Sequence, residues 1–390
     1  MTRPLHLLTL TIGLAAVVAV PASGAPPKPD RLLAESPGLI GAVALGRAEV
    51  AWSHCRLTAG PTRVWSTTLR RPKPRPIRGQ STPGVCDPGE LIGVWGSTVV
   101  LRRPIPEGGT ELVALNRNSG RVTTIDRDTP GSRIVAADAN GPRLVWLRET
   151  GSGATGETRT LLTHIGKLTP PRVLYTRTLL RDAVRPVDVW AGPSGQAVVR
   201  EVLAGAIFGY ALGTERAVLV DGRSDRPLQV VRLTGGNRVA SADLTAKHLV
   251  YTVVRDGDQR VRLIDYVFET KRRRRVRLAK LLLPGMAPEA PAVPEPSISG
   301  SRVVWRERIA QRGRFRDRIA WVDLDAHRSG TVVASVDRGR HRTFLSQPAL
   351  RGRRLVYVFT RFARPASAEG GFMGRSAVPA RSRVVQVQLR

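Results

Sequence analysis

The sequence predicts an all-β fold: a seven-bladed β-propeller of four-stranded antiparallel blades, its ring closed by an N-terminal strand in the last blade. Three observations lead there. A phrase, Gly-x-x-apolar-Val-aromatic, recurs along the chain; the strand and turn chemistry around each copy spells four short strands; and the segment before the first copy supplies a strand that the last copy lacks. The clearest copies are Gly141 to Trp146, Gly300 to Trp305 and Gly352 to Tyr357, with looser ones at Arg47 to Trp52, Gly96 to Leu101, Gly195 to Arg200 and Ala246 to Tyr251. Their last positions, 52, 101, 146, 200, 251, 305 and 357, are 45 to 54 residues apart. A β-rich unit repeating at that interval marks an array that grows by adding units instead of thickening one core.

The elements of one unit follow from residue chemistry. Pro296 to Ser299 is a short first strand ending at Gly300. Arg302 to Glu307 carries Val303-Val304-Trp305, the β-branched and aromatic residues of a strand buried on both faces. Arg318 to Leu324 alternates apolar and polar residues, Asp325 to Gly330 has turn chemistry, and Thr331 to Ala334 returns. The order recurs in Leu112 to Ile125, in Ala217 to Leu233 and in Arg260 to Leu278. Asp221-Gly222 and Ser119-Gly120 are hairpin signals, because glycine accepts the positive φ of such turns. The Val-Val-aromatic strand is expected mid-blade, pressed on both faces by neighbouring blades.

The ends of the chain complete the scheme. In the seventh unit Arg383 to Leu389 follows the Leu355 strand, and the chain stops at Arg390, one strand short. Asp30 to Ala34 is expected to fill that place and leave no open sheet edge. Residues 1–22 read as a secretory signal peptide: Arg3, the apolar run Leu5 to Val20, then small residues before a cut after Ala22. Residues 23–29 form a linker and 30–390 a single propeller domain. The apolar run is short for a membrane span and no second one follows, so the mature chain is expected to lack a transmembrane segment. It is expected to be secreted or held in the cell envelope, as a monomer. Phe362 to Arg381, rich in Gly, Ala and Ser, reads as an inserted loop in the last blade.

With these residues laid out, the unit resembles that of the TolB-like β-propellers: a proline, a Ser-Pro-Asp-Gly turn, an apolar-aromatic strand, then a strand ending in Asp before a Gly-containing turn. Pro296, Ser299-Gly300, Val303 to Trp305, Ile319 to Asp323 and Ser329-Gly330 carry the likeness, although the full Ser-Pro-Asp-Gly phrase never occurs. The resemblance implies an extracytoplasmic interaction module.

Export gives Cys55 and Cys86 an oxidising setting, and one local disulfide is expected between them. A bridge closing a loop of about thirty residues stabilises by roughly 3 kcal/mol. The net charge is +31, and only six of the 62 basic residues are lysine. Such a balance points to acidic polymers or anionic surfaces, but the arginines are spread through every repeat instead of gathering in one stripe.

Two groups stand out as candidate sites. Asp138 and Asp243 each lie eight residues before the end of their phrase, where the other repeats have Ala44, Gly93, Gly192, Ser297 and Ala349. Innermost strands line a propeller's channel, so these carboxylates could meet a ligand, bind a cation or act as acid and base. Lys271, Arg272, Arg273, Arg274 and Arg275 form the densest charge run, expected on a hairpin turn that could meet phosphate or another polyanion. His54, His164, His248, His327 and His341 lack metal-ligand spacing, and no nucleophile elbow, phosphate loop or His-Glu-x-x-His motif occurs. No catalytic residue, metal or cofactor is therefore assigned. The expected function is non-enzymatic binding of another envelope or extracellular protein, or of an extracellular ligand, at a channel mouth, with no specific nucleic-acid partner. The alternatives are a polysaccharide-acting lyase or glycosidase using channel carboxylates, and a cationic module for an anionic cell-surface polymer.

Overall fold

The computed structural model describes residues 31–389 apart from 56–62, 78–89, 152–155, 166–169, 180–183, 204–213, 223–226, 256–259, 281–293, 312–313, 337–340 and 364–378. The signal peptide, the linker, Cys86 and with it the expected disulfide lie outside the described residues.

Strand β1 (Arg31–Ser36) precedes blade 1, which is β2 (Leu39–Leu45), β3 (Glu49–Cys55), β4 (Arg63–Thr68) and β5 (Arg75–Pro76). Blade 2 is β6 (Glu90–Trp95), β7 (Thr98–Pro104), β8 (Thr110–Asn116) and β9 (Val122–Arg127). Blade 3 is β10 (Ser132–Asn140), β11 (Arg143–Thr150), β12 (Thr158–Ile165) and β13 (Arg172–Thr178). Blade 4 is β14 (Val184–Ala191), β15 (Gln196–Leu203), β16 (Glu215–Asp221) and β17 (Leu228–Leu233). Blade 5 is β18 (Asn237–Leu244), β19 (His248–Arg255), β20 (Arg260–Val267) and β21 (Arg272–Lys280). Blade 6 is β22 (Ser297–Ser299), β23 (Arg302–Gln311), β24 (Arg314–Asp323) and β25 (Arg328–Val336). Blade 7 holds β26 (His341–Leu345), β27 (Ala349–Arg351), β28 (Arg354–Ala363) and β29 (Pro379–Gln388).

The first six blades are antiparallel meanders in chain order. In blade 7, β26 and β27 both pair with β28, so the innermost strand is interrupted at Ser346 to Pro348. The Ser346 hydroxyl spans the gap, accepting the Val358 N–H at 2.9 Å. β1 pairs antiparallel with β29, from Arg31 opposite Gln386 to Ser36 opposite Ser382, so the ring closes as the sequence predicts. The expected loop from Phe362 to Arg381 is narrower than read, because Phe362 still pairs with Pro379 and Arg361 with Arg381.

The recurrent phrase is the second strand of each blade and its preceding turn. Gly300 turns the chain at φ 63°, a conformation that side chains resist. Val303 and Val304 are fully buried and Trp305 nearly so. Seven apolar clusters hold the described residues together, and each spans two adjacent blades. Val250 and Leu263 of blade 5, for example, pack on Val303, Trp305 and Ala320 of blade 6. The blade 7–blade 1 cluster takes Leu33 of β1, Trp52 of β3 and Val384 of β29, so closure is hydrophobic as well as hydrogen-bonded. Burial between units, not within one, is why a blade needs its neighbours.

Candidate functional site

The innermost strands β2, β6, β10, β14, β18, β22 and β27, with the residues flanking them, line a central channel of about 740 Å³. One mouth lies where these strands begin. The other lies at the turns into the second strands, among them Gly141, Gly300 and Arg351. Five acidic residues from five consecutive blades line the lumen: Glu90, Asp138, Asp188, Asp243 and Glu295. Among the described lining residues the one base is Arg351. The sign of charge in the channel is thus opposite to that of a chain with twice as many basic as acidic residues.

Both sequence-predicted aspartates lie on this wall, and each is bound to the next blade. Asp138 on β10 accepts the Ala191 N–H of blade 4 at 2.7 Å. Asp243 on β18 accepts the Ile298 N–H of blade 6 at 2.8 Å and the Leu244 N–H at 2.8 Å. Ser297, which stands in the same place in blade 6, accepts the Leu350 N–H of blade 7 at 3.1 Å. The position clamps the free edge of the following innermost strand, whose amides would otherwise lack a partner. Both side chains are half-buried in the channel wall. Burial pushes Asp138 up to about 6, against the hydrogen bonds from Ala191 and Ala139. Burial pushes Asp243 up to about 7, opposed by the Ile298 hydrogen bond and aided by the charge of Asp138. The two stand on blades 3 and 5, and no hydrogen bond joins them directly.

Glu90, Asp188 and Glu295 escaped the sequence reading. They come from alternate blades near the mouth where the innermost strands begin, and each faces an arginine of its second strand. Glu90 lies opposite Arg102, bonded at 3.1 Å, and Asp188 lies opposite Arg200. Arg306 acts on Glu295. Two of these arginines also reach the next blade: Arg102 donates to the Val135 carbonyl at 2.8 Å and Arg200 to the Val239 carbonyl at 2.5 Å. Asp188 is raised by burial and lowered by Arg200. Their spacing from the phrase is not fixed: a β-bulge at Leu91/Gly93 separates Glu90 from it, and the 3-10 turn Pro193–Gly195 separates Asp188 from it.

The basic run sits differently from the sequence expectation. Lys271 alone is in the turn, at φ 54°, while Arg272 to Arg275 lie within β21. Strand alternation gives successive arginines different partners. Arg273 donates to the Val230 carbonyl of blade 4 at 3.1 Å. Arg274 donates at 2.6 Å to Asp265, a fully buried carboxylate that also meets His248 Nδ1 at 3.0 Å. Arg277 reaches Glu307 of blade 6 at 3.3 Å. Two of the run's five residues, Arg273 and Arg274, thus help to hold blade 5 in place.

A second pattern gives arginine a structural place in four of the seven blades. Glu149 opposite Arg159, Glu201 opposite Arg216 and Glu307 opposite Arg318 are the same cross-strand ion pair in blades 3, 4 and 6. Blade 2 has it reversed, Arg103 with Glu111 at 2.8 Å. Arginines of the preceding blades add to two of them, Arg177 to Glu201 at 3.5 Å and Arg277 to Glu307. Burial raises the Glu201 carboxyl and the Arg216 bond opposes it. His54, His164, His248 and the other described donors form no group of three acidic, histidine or cysteine residues that could hold a metal ion.

No protein-family model matches the chain, and no characterised protein matches it by sequence. Solved structures do resemble it. An oligogalacturonate lyase in complex with manganese is 12% identical, with 88% of this chain and 86% of that one covered at a TM-score of 0.50. The β-propeller domain of the Trilobed protease from Pyrococcus furiosus is 10% identical, with 85% and 97% covered at a TM-score of 0.50. That domain has an open velcro topology, whereas β1 closes the last blade here. A prolyl endopeptidase matches at 10% identity and a TM-score of 0.46, over 87% of this chain and 56% of that one. The chain spans about half the length of the prolyl endopeptidase and oligopeptidase chains it resembles. What these likenesses share with it is the fold, and the chain is a seven-bladed β-propeller.

Proposed function

We propose that this chain is an exported, non-enzymatic propeller of TolB-like type that binds a segment of another envelope or extracellular protein at the mouth of its channel. The single observation that carries this reading is the reversal of charge: five carboxylates and one arginine line the lumen of a chain whose net charge is +31. A cationic segment is repelled by the outer surface and attracted only there, which is a basis for selecting where it binds. Residues 1–22 would direct the chain out of the cytoplasm. An anionic sugar polymer would meet the carboxylates in the channel, which disfavours a lyase working on sugar acids there.

Affinity capture of the mature protein from its own cell envelope, at low and high salt, tests the proposal. The expected result is a specific protein partner retained by the wild type and lost by the triple variant Glu90→Gln, Asp188→Asn, Glu295→Gln. Equal capture by both proteins would remove the channel from consideration as the site.

A further inference from the structure

The one arginine among the channel's described lining residues lies across it. Arg351 ends β27 in blade 7, yet its guanidinium rests against Gly141 at the first turn of blade 3. A Cβ added at Gly141 would meet Nη2 at 3.1 Å and Nη1 at 3.5 Å. Blades 1 and 2 stand between blades 7 and 3, so this contact spans the turn-side mouth and is not part of a blade interface. Among the described residues, no carboxylate or carbonyl takes a hydrogen bond from this guanidinium, although an arginine fork is built to hold two acceptor oxygens.

The levels of charge along the lumen follow from the strand positions. Arg351 stands six residues before Tyr357, Asp138 and Asp243 eight before Trp146 and Tyr251, and Glu295 ten before Trp305. At about 3.3 Å per residue of strand, the aspartates lie about 7 Å and Glu295 about 13 Å back from the strand position of Arg351. An extended peptide has the same rise, so its second and fourth residues back from a group held by Arg351 fall at the two carboxylate levels.

We infer that the channel is a one-ended receptacle for the free C-terminus of a basic polypeptide. Arg351 bars the turn-side mouth and receives the terminal carboxylate. The side chains two and four residues upstream, if cationic, meet Asp138 and Asp243 and then Glu90, Asp188 and Glu295. An internal loop would have to reverse within the lumen and has no carboxylate to offer, so a chain end is the better fit. The inference rests on the channel-binding reading above and adds to it the polarity and chemistry of the bound segment.

Fluorescence anisotropy with the full chain and a labelled peptide Ala-Lys-Ala-Lys-Ala-Ala, as free acid and as C-terminal amide, tests it. The wild type should bind the free acid at least tenfold more tightly than the amide. Arg351→Gln, uncharged and too short to cross the mouth, should abolish the preference, so that acid and amide bind alike. Gly141→Ala, which displaces the guanidinium, should reduce the preference in the same way. Acid and amide binding alike, or a preference that survives Arg351→Gln, overturns the inference while leaving the channel-binding reading intact, provided Glu295→Gln weakens both peptides. Failure of both peptides to bind overturns the inference and the channel-binding reading together.

Discussion

At the scale of single residues, Asp138 and Asp243 answer two demands with one carboxylate. Each caps an amide of the next blade, and each adds a negative charge to a lumen already carrying three others. Their folded-state values, about 6 and about 7, stand above the usual 3.8. The folded protein therefore holds protons that the unfolded chain releases, and stability is lost as pH rises through that window. Each group costs up to about 1.4 kcal/mol per pH unit between about pH 4 and its folded value. Asn at both positions keeps the amide acceptor without the charge. Melts of wild type and of the Asp138→Asn, Asp243→Asn variant between pH 4 and pH 8 should converge at the acid end. At the alkaline end the variant should be the more stable protein, and parallel curves would show that channel water solvates both carboxyls fully.

At the scale of elements, strand β21 turns a conspicuous charge run into a set of ties. Removing Arg274 leaves Asp265, fully buried, with His248 as its remaining close partner. Arg274→Ser should cost about 2–3 kcal/mol, below the roughly 3–5 kcal/mol of a fully buried pair because the arginine is itself partly exposed. Arg275→Ser, whose side chain is exposed, should change stability by less than about 0.5 kcal/mol. Denaturant midpoints for the two variants separate the roles, and equal losses would contradict the assignment of Arg274 to Asp265. The same contrast tells against using the whole run as a polyanion site, since Arg273 and Arg274 cannot leave their partners without loosening blade 5.

At the scale of the whole molecule, the ring depends on a strand from the opposite end of the sequence. β1 brings Leu33 into the cluster shared by blades 7 and 1 and covers the hydrogen-bonding edge of β29. The ion pairs of Glu35 with Arg381 and Arg383 lie at the surface, so the closure is held by burial and backbone pairing rather than by charge. Leu33→Ala should lower stability by about 3 kcal/mol. Deleting residues 31–36 should lower the melting temperature further and promote association through the bared edge of β29. A deletion variant that melts like the wild type and stays monodisperse would show that the ring holds without its closing strand.

How much of this was legible follows from what each feature depends on. Val303-Val304-Trp305 and its six counterparts are local runs repeated at a regular interval, and buried strands must be apolar wherever they fall, so blade number, strand order and the closing role of Asp30 to Ala34 could be read directly. Asp138 and Asp243 could be placed on the innermost strands for the same reason. Their hydrogen bonds to Ala191 and Ile298 could not, because the partners are more than fifty residues away and belong to another blade. Glu90 and Asp188 were concealed by a bulge at Leu91/Gly93 and by the 3-10 turn Pro193–Gly195, which change the count of residues to the phrase. Repetition in the chain determined the propeller. Which side chains face the lumen together, an acid from each of five blades and Arg351 reaching across to Gly141, was decided only when the ring closed, since closure is what brings distant repeats around a common axis.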